Sequence, residues 1–486
     1  MKNFSVIQIL KSFTQDEMKE FDKVVRSPFF GGSDYIIKFW NEIKRAYPGF
    51  DEKKLTRERI FKKLYPGKKY DDSVIRKFSS NLLKMAEKYL GIKRIDSDAY
   101  RLVDLYTAVE LRERNLYNLY ENKYRELNKY YNSLSVYEFN KLLDRHLLQI
   151  QQMNFVTDTN ESSRNFPERM LYYEYIITYM LTILMQETTR IWVGKTVFNH
   201  EDDYNIAEEF LKYFRINDFL ENIKMSSNRF EPLLTVNRLL MNMFNEYSDI
   251  DHYYKCRDHL FETGTLIPKK ALRMYFIFLV NYCLSKSRYT DGRFRAELSA
   301  IADKMDEFGI IIDPTIKQVI SPFFNVIADA YTNAGQFDKA EAFIDKYSRY
   351  LQSENKKDTL NFTRASLYFE KGDFEKSLYY VNIQEPQVDY DKINYRVLKL
   401  QIFYELDRWE EFYLQLDSTR QFVKSTKLLA SRFAADTLKF LSFIKRLHEV
   451  KENKSTATGE LKHEIINSEY VMNKDWLLQK LDKIKS

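Results

Sequence analysis

Glycine and proline are scarce in this sequence, 12 and 9 among 486 residues, and both counts lie well below average usage. Few turns and long elements follow, the signature of a chain dominated by helices. Cysteine is scarcer still. Cys256 and Cys283 alone leave no disulfide framework to build, which fits a reducing compartment. Long apolar runs are missing as well: the best, Leu171 to Met185, contains Glu174 and is followed by Gln186 and Glu187. It falls short of the ~20 residues a membrane-spanning helix needs, so we expect a buried helix there. Met1 to Phe13 offers only a short apolar stretch, Val6 to Leu10, interrupted by Gln8 and with no small-residue cleavage site after it; no secretory signal is expected. Sustained alternation with a period of two is rare, so no β-domain is expected.

What the chain does have is apolar and aromatic bulk. Apolar residues make up 44%, with 36 Tyr and 36 Phe, large side chains that bury area at modest entropic cost. The length exceeds what one compact core normally holds and points to several domains or an elongated array. The net charge of +6 is unevenly spread: residues 1–95 carry 22 Lys and Arg against 12 Asp and Glu, leaving 54 against 58 for the rest. The excess of positive charge belongs to the N-terminal fifth.

Nearly every window places apolar residues three and four apart, the period of an amphipathic helix. Thr14 with Glu17 three residues later reads as a capping box opening a helix toward Val25. A second helix is expected from Tyr35 to Ala46, a short one after Thr56, and a strong one from Asp72, with Gly91 placed to end it. Gly91 to Ser97 is then the first boundary. Three helices are expected between Asp98 and Phe155, a linker at Thr157 to Asn165, and a helix with Pro167 in its first turn. Hairpins follow at 202–224, 232–262 and 268–308. A second linker at Lys451 to Glu460 precedes an amphipathic C-terminal segment (Ile465, Ile466, Val471, Trp476, Leu477, Leu481, Ile484) suited to capping a stack. The expected organisation is a basic helical module at 1–95, divergent helical hairpins at 96–310, repeats at 311–450 and a capping helix at 461–486.

The most specific signal lies between Ser321 and Arg420. Ala328, Tyr331, Gly335, Phe337 and Ala340 recur 37 residues later as Ala365, Tyr368, Gly372, Phe374 and Ser377, and again 35 residues on, more weakly, as Leu400, Phe403, Asp407, Trp409 and Phe412. A small residue lets two helices approach, an aromatic wedges into the neighbouring hairpin, and a glycine permits the turn. In these residues the chain resembles the tetratricopeptide repeat family, with its 34-residue helix-turn-helix units. The units here run slightly long, no closing proline is in register, and Asp407 replaces a turn glycine. The resemblance implies an all-α solenoid of antiparallel hairpins whose first helices line a groove. The lining positions carried over are Asn325, Asp329 and Thr332, then Phe362, Ser366 and Phe369, then Val397, Gln401 and Tyr404. No lysine stands among the nine, which disfavours capture of a partner's C-terminal carboxylate. Phe362, Phe369 and Tyr404 are the expected anchors for a protein or peptide partner.

Chemistry has few footholds. His252, Cys256 and His259 share one face of a helix at spacings suited to zinc, but all three come from one element and Cys is commonly buried, so no metal is expected. Gly194, Lys195 and Thr196 match the end of a phosphate-binding loop, yet Thr189 stands where that loop needs its first glycine. No His-Glu-x-x-His, Gly-x-Ser-x-Gly or Gly-x-Gly-x-x-Gly motif is present, and neither enzymatic activity nor a cofactor is expected. The basic N-terminal helix carries Arg76, Lys77, Asn81, Lys84 and Lys88 away from its apolar face, with Arg57, Arg59, Lys62 and Lys63 on the helix before it. Short helix, loop and longer basic helix are similar to winged-helix regulators, which implies nucleic-acid contact, although Ile92 to Ile95 is too short for a wing and Tyr65 to Asp71 too long for the usual turn. Two readings therefore stand: a cytoplasmic, non-enzymatic scaffold binding a protein segment in the repeat groove, or a nucleic-acid-binding regulator with the repeats as sensor.

Overall fold

The computed structural model describes the chain except residues 1–4, 51–54, 97–100, 160–165, 198–205, 223–228, 290–292, 353–355, 387–388, 427–430, 454–457, 469–470 and 486. Among the described residues the fold is all-α, and the one β-type pairing is an isolated bridge between Val319 and Leu351. No described helix is long and apolar enough to cross a membrane. The chain divides into two compact units, residues 1–132 with 144–172, and residues 133–143 with 173–486.

The first unit begins with α1 (Ser5–Lys11), α2 (Gln15–Arg26), α3 (Asp34–Lys44), α4 (Arg57–Leu64) and α5 (Asp72–Ile95). The capping box forms as the sequence requires: Thr14 Oγ1 accepts from the Glu17 amide at 3.2 Å, and Glu17 Oε2 accepts from the Thr14 amide at 2.8 Å. On α5 the buried residues Ile75, Leu82, Met85, Ala86 and Tyr89 keep helical spacing, and they close a single core with Leu10, Phe21 and Trp40. Gly91 does not end α5, contrary to the expectation from sequence. One turn beyond Tyr89, Lys93 Nζ reaches Glu17 at 3.2 Å and Glu20 at 3.1 Å, and Tyr89 is buried in the core, so the helix runs on through Gly91, whose interior cost is only about 1 kcal/mol. The unit continues through α6 (Leu102–Glu113) and most of α7 (Tyr117–Ser133) and α8 (Lys141–Asp158). Here the Arg112 guanidinium donates to Gln151 and Asp158, both at 2.9 Å, and Tyr120 packs its ring on Phe155.

Next comes α9 (Phe166–Val197), most of it in the second unit, then α10 (Ile206–Tyr213), α11 (Ile216–Asn222), α12 (Glu231–Asn245), α13 (Ile250–Thr263), α14 (Lys269–Tyr289) and α15 (Arg293–Glu307). Aromatic packing defines this stretch. Tyr253 stacks on Tyr282 with ring centroids 5.1 Å apart, and Phe294 sets its edge against both. The linker expected at Thr157 to Asn165 is helical to Asp158; its residues 160–165, like the turn residues 290–292, lie outside the described residues.

Three hairpins follow: α16 (Ser321–Asn333) with α17 (Phe337–Tyr347), α18 (Lys356–Glu370) with α19 (Phe374–Val381), and α20 (Asp389–Glu405) with α21 (Trp409–Ser425). Their turns are alike in backbone. Gly335, Gly372 and Asp407 adopt left-handed φ values of 71°, 80° and 54°. In each case the next amide donates back to the carbonyl of the wedge aromatic, Gln336 to Tyr331, Asp373 to Tyr368 and Arg408 to Phe403, at 2.9, 2.9 and 3.0 Å. Ala328 and Ala365 are fully buried, and the Ser377 hydroxyl donates to the Ala365 carbonyl at 2.6 Å across its hairpin. The Tyr331 hydroxyl reaches Asp303 on α15 at 3.1 Å.

A Cβ at Gly335 would meet nothing within 4 Å, so Gly335→Ala acts through backbone strain alone and is expected to cost about 1 kcal/mol. Asp407→Gly should stabilise by less, because it also removes the surface pair with Lys451. Urea midpoints check both, and an unchanged midpoint for Gly335→Ala would contradict the turn assignment. The chain ends in α22 (Ser431–Asn453), α23 (Thr458–Asn467) and α24 (Lys474–Lys485). The second expected linker is thus helical at both ends, and its residues 454–457 lie outside the described residues.

Candidate functional site

The helices α16, α18 and α20 present the nine positions that the sequence assigns to a groove, and the structure sorts them into two groups. Asn325, Asp329, Phe362 and Ser366 are half-buried. They are tied across helices: the Thr363 hydroxyl donates to Asn325 Oδ1 at 2.7 Å, and the Ser366 hydroxyl to Asp329 Oδ1 at 3.1 Å. Thr332, Phe369, Val397, Gln401 and Tyr404 are buried, and this corrects their assignment as open lining. Thr332 returns its hydroxyl to the Ala328 carbonyl, and Phe369 packs against Phe374 at 5.4 Å. Two of the three expected anchors, Phe369 and Tyr404, are therefore core residues in this structure.

What covers the α20 end is α24. Asn473 Nδ2 donates to Gln401 Oε1 at 2.9 Å. The Trp476 ring meets Tyr404 edge-on at 5.3 Å, and Trp476 Nε1 donates to Glu405 Oε1 at 2.8 Å. Lys480 forms an ion pair with the same carboxylate, both side chains only about a tenth exposed, and Asp475 pairs with Arg295 at the start of α15. Leu477 and Leu481, a quarter-turn away, are fully buried in the core shared with α22 and α23. One side of α24 thus caps the last helices while its neighbouring side lies on α20 and reaches α15.

Two carboxylates on this surface, half-buried Asp329 and exposed Glu370, are shifted upward. Burial pushes Asp329 up to about 6, with the Glu370 charge adding to it and the Ser366 hydrogen bond opposing it. Neighbouring protein atoms raise Glu370 by desolvation even though the residue keeps contact with solvent, opposed by Arg295 and Lys480 and reinforced by Glu405. Among the described residues no lysine or arginine forms an ion pair with Asp329 or Glu370, whereas Glu405 has Lys480. Sequence reasoning missed Arg295, Glu370, Glu405 and Lys480. The legible signal was Trp476 and Lys480 at a spacing of four, beside rather than within the leucine stripe.

The basic face of α5 is exposed along its length: Arg76, Lys77, Asn81, Lys84 and Lys88 all face solvent. Arg76 is paired with Asp72 at 2.8 Å. Lys88 Nζ sits 5.5 and 5.1 Å from the rings of Phe29 and Phe30, and Phe29 is itself 82% exposed. On α4, Arg57 pairs with Asp72 and Lys63 with Glu42, while Arg59 and Lys62 are exposed beside the α5 lysines. Among the described residues no β-hairpin follows α5.

The structure does not gather His252, Cys256 and His259. Burial raises the Cys256 thiol and lowers His259, as expected of core packing, while His252 Nε2 turns to Glu246 at 3.0 Å. The one set of potential ligands with atoms within 4.8 Å of each other among the described residues is Glu246, Asp249 and His252, an exposed acidic turn with nothing to mark it as a metal centre. Gly194, Lys195 and Thr196 lie inside α9, where no phosphate-cradling loop exists. Compared with known family models, curated proteins and solved structures, the chain matches none.

Proposed function

We propose that this chain is a non-enzymatic interaction scaffold, a tetratricopeptide-like solenoid that binds a segment of a protein partner along the surface carried by α16, α18 and α20. The observation that supports it is the seating of α24 on that surface: an aromatic ring and a lysine of α24, and the asparagine just before it, find fitted partners at Tyr404, Glu405 and Gln401. The recurrent left-handed turns at Gly335, Gly372 and Asp407 agree with a repeat architecture. Because Phe369 and Tyr404 are buried, truncating them would measure stability rather than binding. The better test is a photo-crosslinking side chain at Phe362 or Asn325 in the full-length protein in native lysate. Adducts to protein that persist after nuclease treatment are the expected result.

A second reading has its own observation, the continuous exposure of Lys77, Asn81, Lys84 and Lys88 on α5 in the segment that holds the positive excess. It makes this face a nucleic-acid interface of a regulator. Binding through lysine–phosphate contacts falls linearly on a log–log salt plot, with a slope of about −0.9 per phosphate on a duplex. Crosslinks from Lys84 but not Phe362, abolished by nuclease, would favour this reading over the scaffold.

A further inference from the structure

Beside α24 the helices α16, α18 and α20 carry three carboxylates, and Arg295 of α15 adds a positive charge near Glu370. Glu405 closes α20, Glu370 closes α18 and Asp329 lies on α16, and the three sense each other's charge in sequence, Asp329 with Glu370 and Glu370 with Glu405. Only the Glu405 end has a cation paired to it among the described residues, and that cation, Lys480, comes from the helix seated there. A cap on α22 and α23 needs only the Leu477 and Leu481 side of α24. Beyond that side, Asn473, Asp475, Trp476 and Lys480 make contacts with Gln401, Arg295, Tyr404 and Glu405, although the Trp476 ring also meets Phe440 of α22 at 6.4 Å, and they describe how this surface receives a helix.

We infer that the surface of α16, α18 and α20 is a docking site for a basic amphipathic helix of a protein partner, bearing an aromatic residue and a lysine or arginine four residues apart. In the free protein α24 holds the α20 end of that site as an internal surrogate. The inference rests on the scaffold reading and names the kind of partner it takes. Charge complementarity selects the occupant: Glu370 and Asp329 remain without an ion-pair partner beside α24, so a helix with basic side chains reaching them gains contacts α24 lacks, and an acidic helix meets like charge. Because α24 is tethered, it competes at the high effective concentration of an intramolecular ligand; the site opens only to a better-matched helix or when the polar side of α24 is weakened.

The probe is a fluorescein-labelled synthetic peptide of this chain's residues 471–486, with a Lys480→Glu version as its charge-reversed control. In the full-length chain, Trp476→Ala with Lys480→Glu removes the contacts of α24 with Tyr404 and Glu405, together with the Trp476–Phe440 contact to α22, and keeps Leu477 and Leu481. This variant is expected to bind the peptide at least 10-fold more tightly than the wild-type chain, and the charge-reversed peptide at least 10-fold more weakly than the original. Should that variant fail to fold, the milder Asn473→Ala with Lys480→Ala decides the matter by the same comparison. Equal peptide affinity for the wild-type chain and the folded variant, or equal affinity of the two peptides, overturns the inference. If the peptide fails while Phe362 still crosslinks to a protein, the inference alone is lost; if those crosslinks are also absent, the scaffold reading goes with it.

Discussion

Replacing Trp40 with alanine is expected to cost the packing of α1 to α5 about 3–5 kcal/mol, the range for deleting a large aromatic from a filled core. Trp40 has no exposed surface, and its ring meets Phe21 edge-on at 5.1 Å, so alanine leaves a cavity under α2 and α3. It also removes a donor, because Trp40 Nε1 gives a 2.7 Å hydrogen bond to Asp22 Oδ1. Burial pushes Asp22 upward, yet the hydrogen bonds from Arg26, Trp40 and Lys44 together hold it down at about 2. A carboxylate with a depressed folded-state pKa stabilises above its unfolded value near 4, and that contribution fades as pH falls from there toward 2. Trp40→Phe, which keeps a ring and loses the donor, should cost less than alanine and show a weaker loss between pH 4 and 2. Hydrogen exchange is the measurement: protection of residues 5–95 should collapse in Trp40→Ala, and unchanged protection there would refute the central role given to this residue.

Local rules were legible in the sequence wherever one residue type is forced by backbone geometry. The Thr14–Glu17 capping box, the Thr56 cap and the left-handed turns at Gly335 and Gly372 all stand where the sequence puts them. Asp407 keeps the same turn without glycine, since a short polar side chain tolerates that conformation. Gly91 misled because the contacts around it, Lys93 with Glu17 and Glu20, span more than seventy residues and leave no local trace in the sequence. The surface of α16, α18 and α20 was half legible for the same reason. Periodicity marks which positions share a face, but it cannot say that Gln401 and Tyr404 are met by Asn473 and Trp476, 72 residues further along in the case of Asn473. The buried pair Lys480–Glu405 was equally hidden, one charge among 76 basic and 70 acidic residues with no local pattern to single it out.

Asp329→Asn is expected to stabilise the protein at pH 7, by on the order of 2 kcal/mol, and to leave it unchanged at pH 4. Burial raises Asp329 to about 6 in the folded chain from an ordinary value of 3.8. Below pH 4 the carboxyl is protonated in both states and contributes nothing. Between about pH 4 and 6 the unfolded chain releases its proton while the folded chain keeps it, so the folded state binds more protons and stability falls as pH rises. Above about pH 6 the whole penalty persists. Asparagine still accepts the Ser366 hydroxyl bond without ever needing to ionise, so its advantage grows across this window and then levels. Urea midpoints of the two proteins at pH 4, 5, 6 and 7 should therefore diverge, and parallel profiles would show that the Asp329 carboxyl titrates normally. A natural chain that keeps an acid here gives up stability that an amide would restore. A basic helix laid along α16 and α18 would supply the missing counter-charge and recover that loss only when bound, which is the physical reason to expect Asp329→Asn to weaken docking while it strengthens the fold.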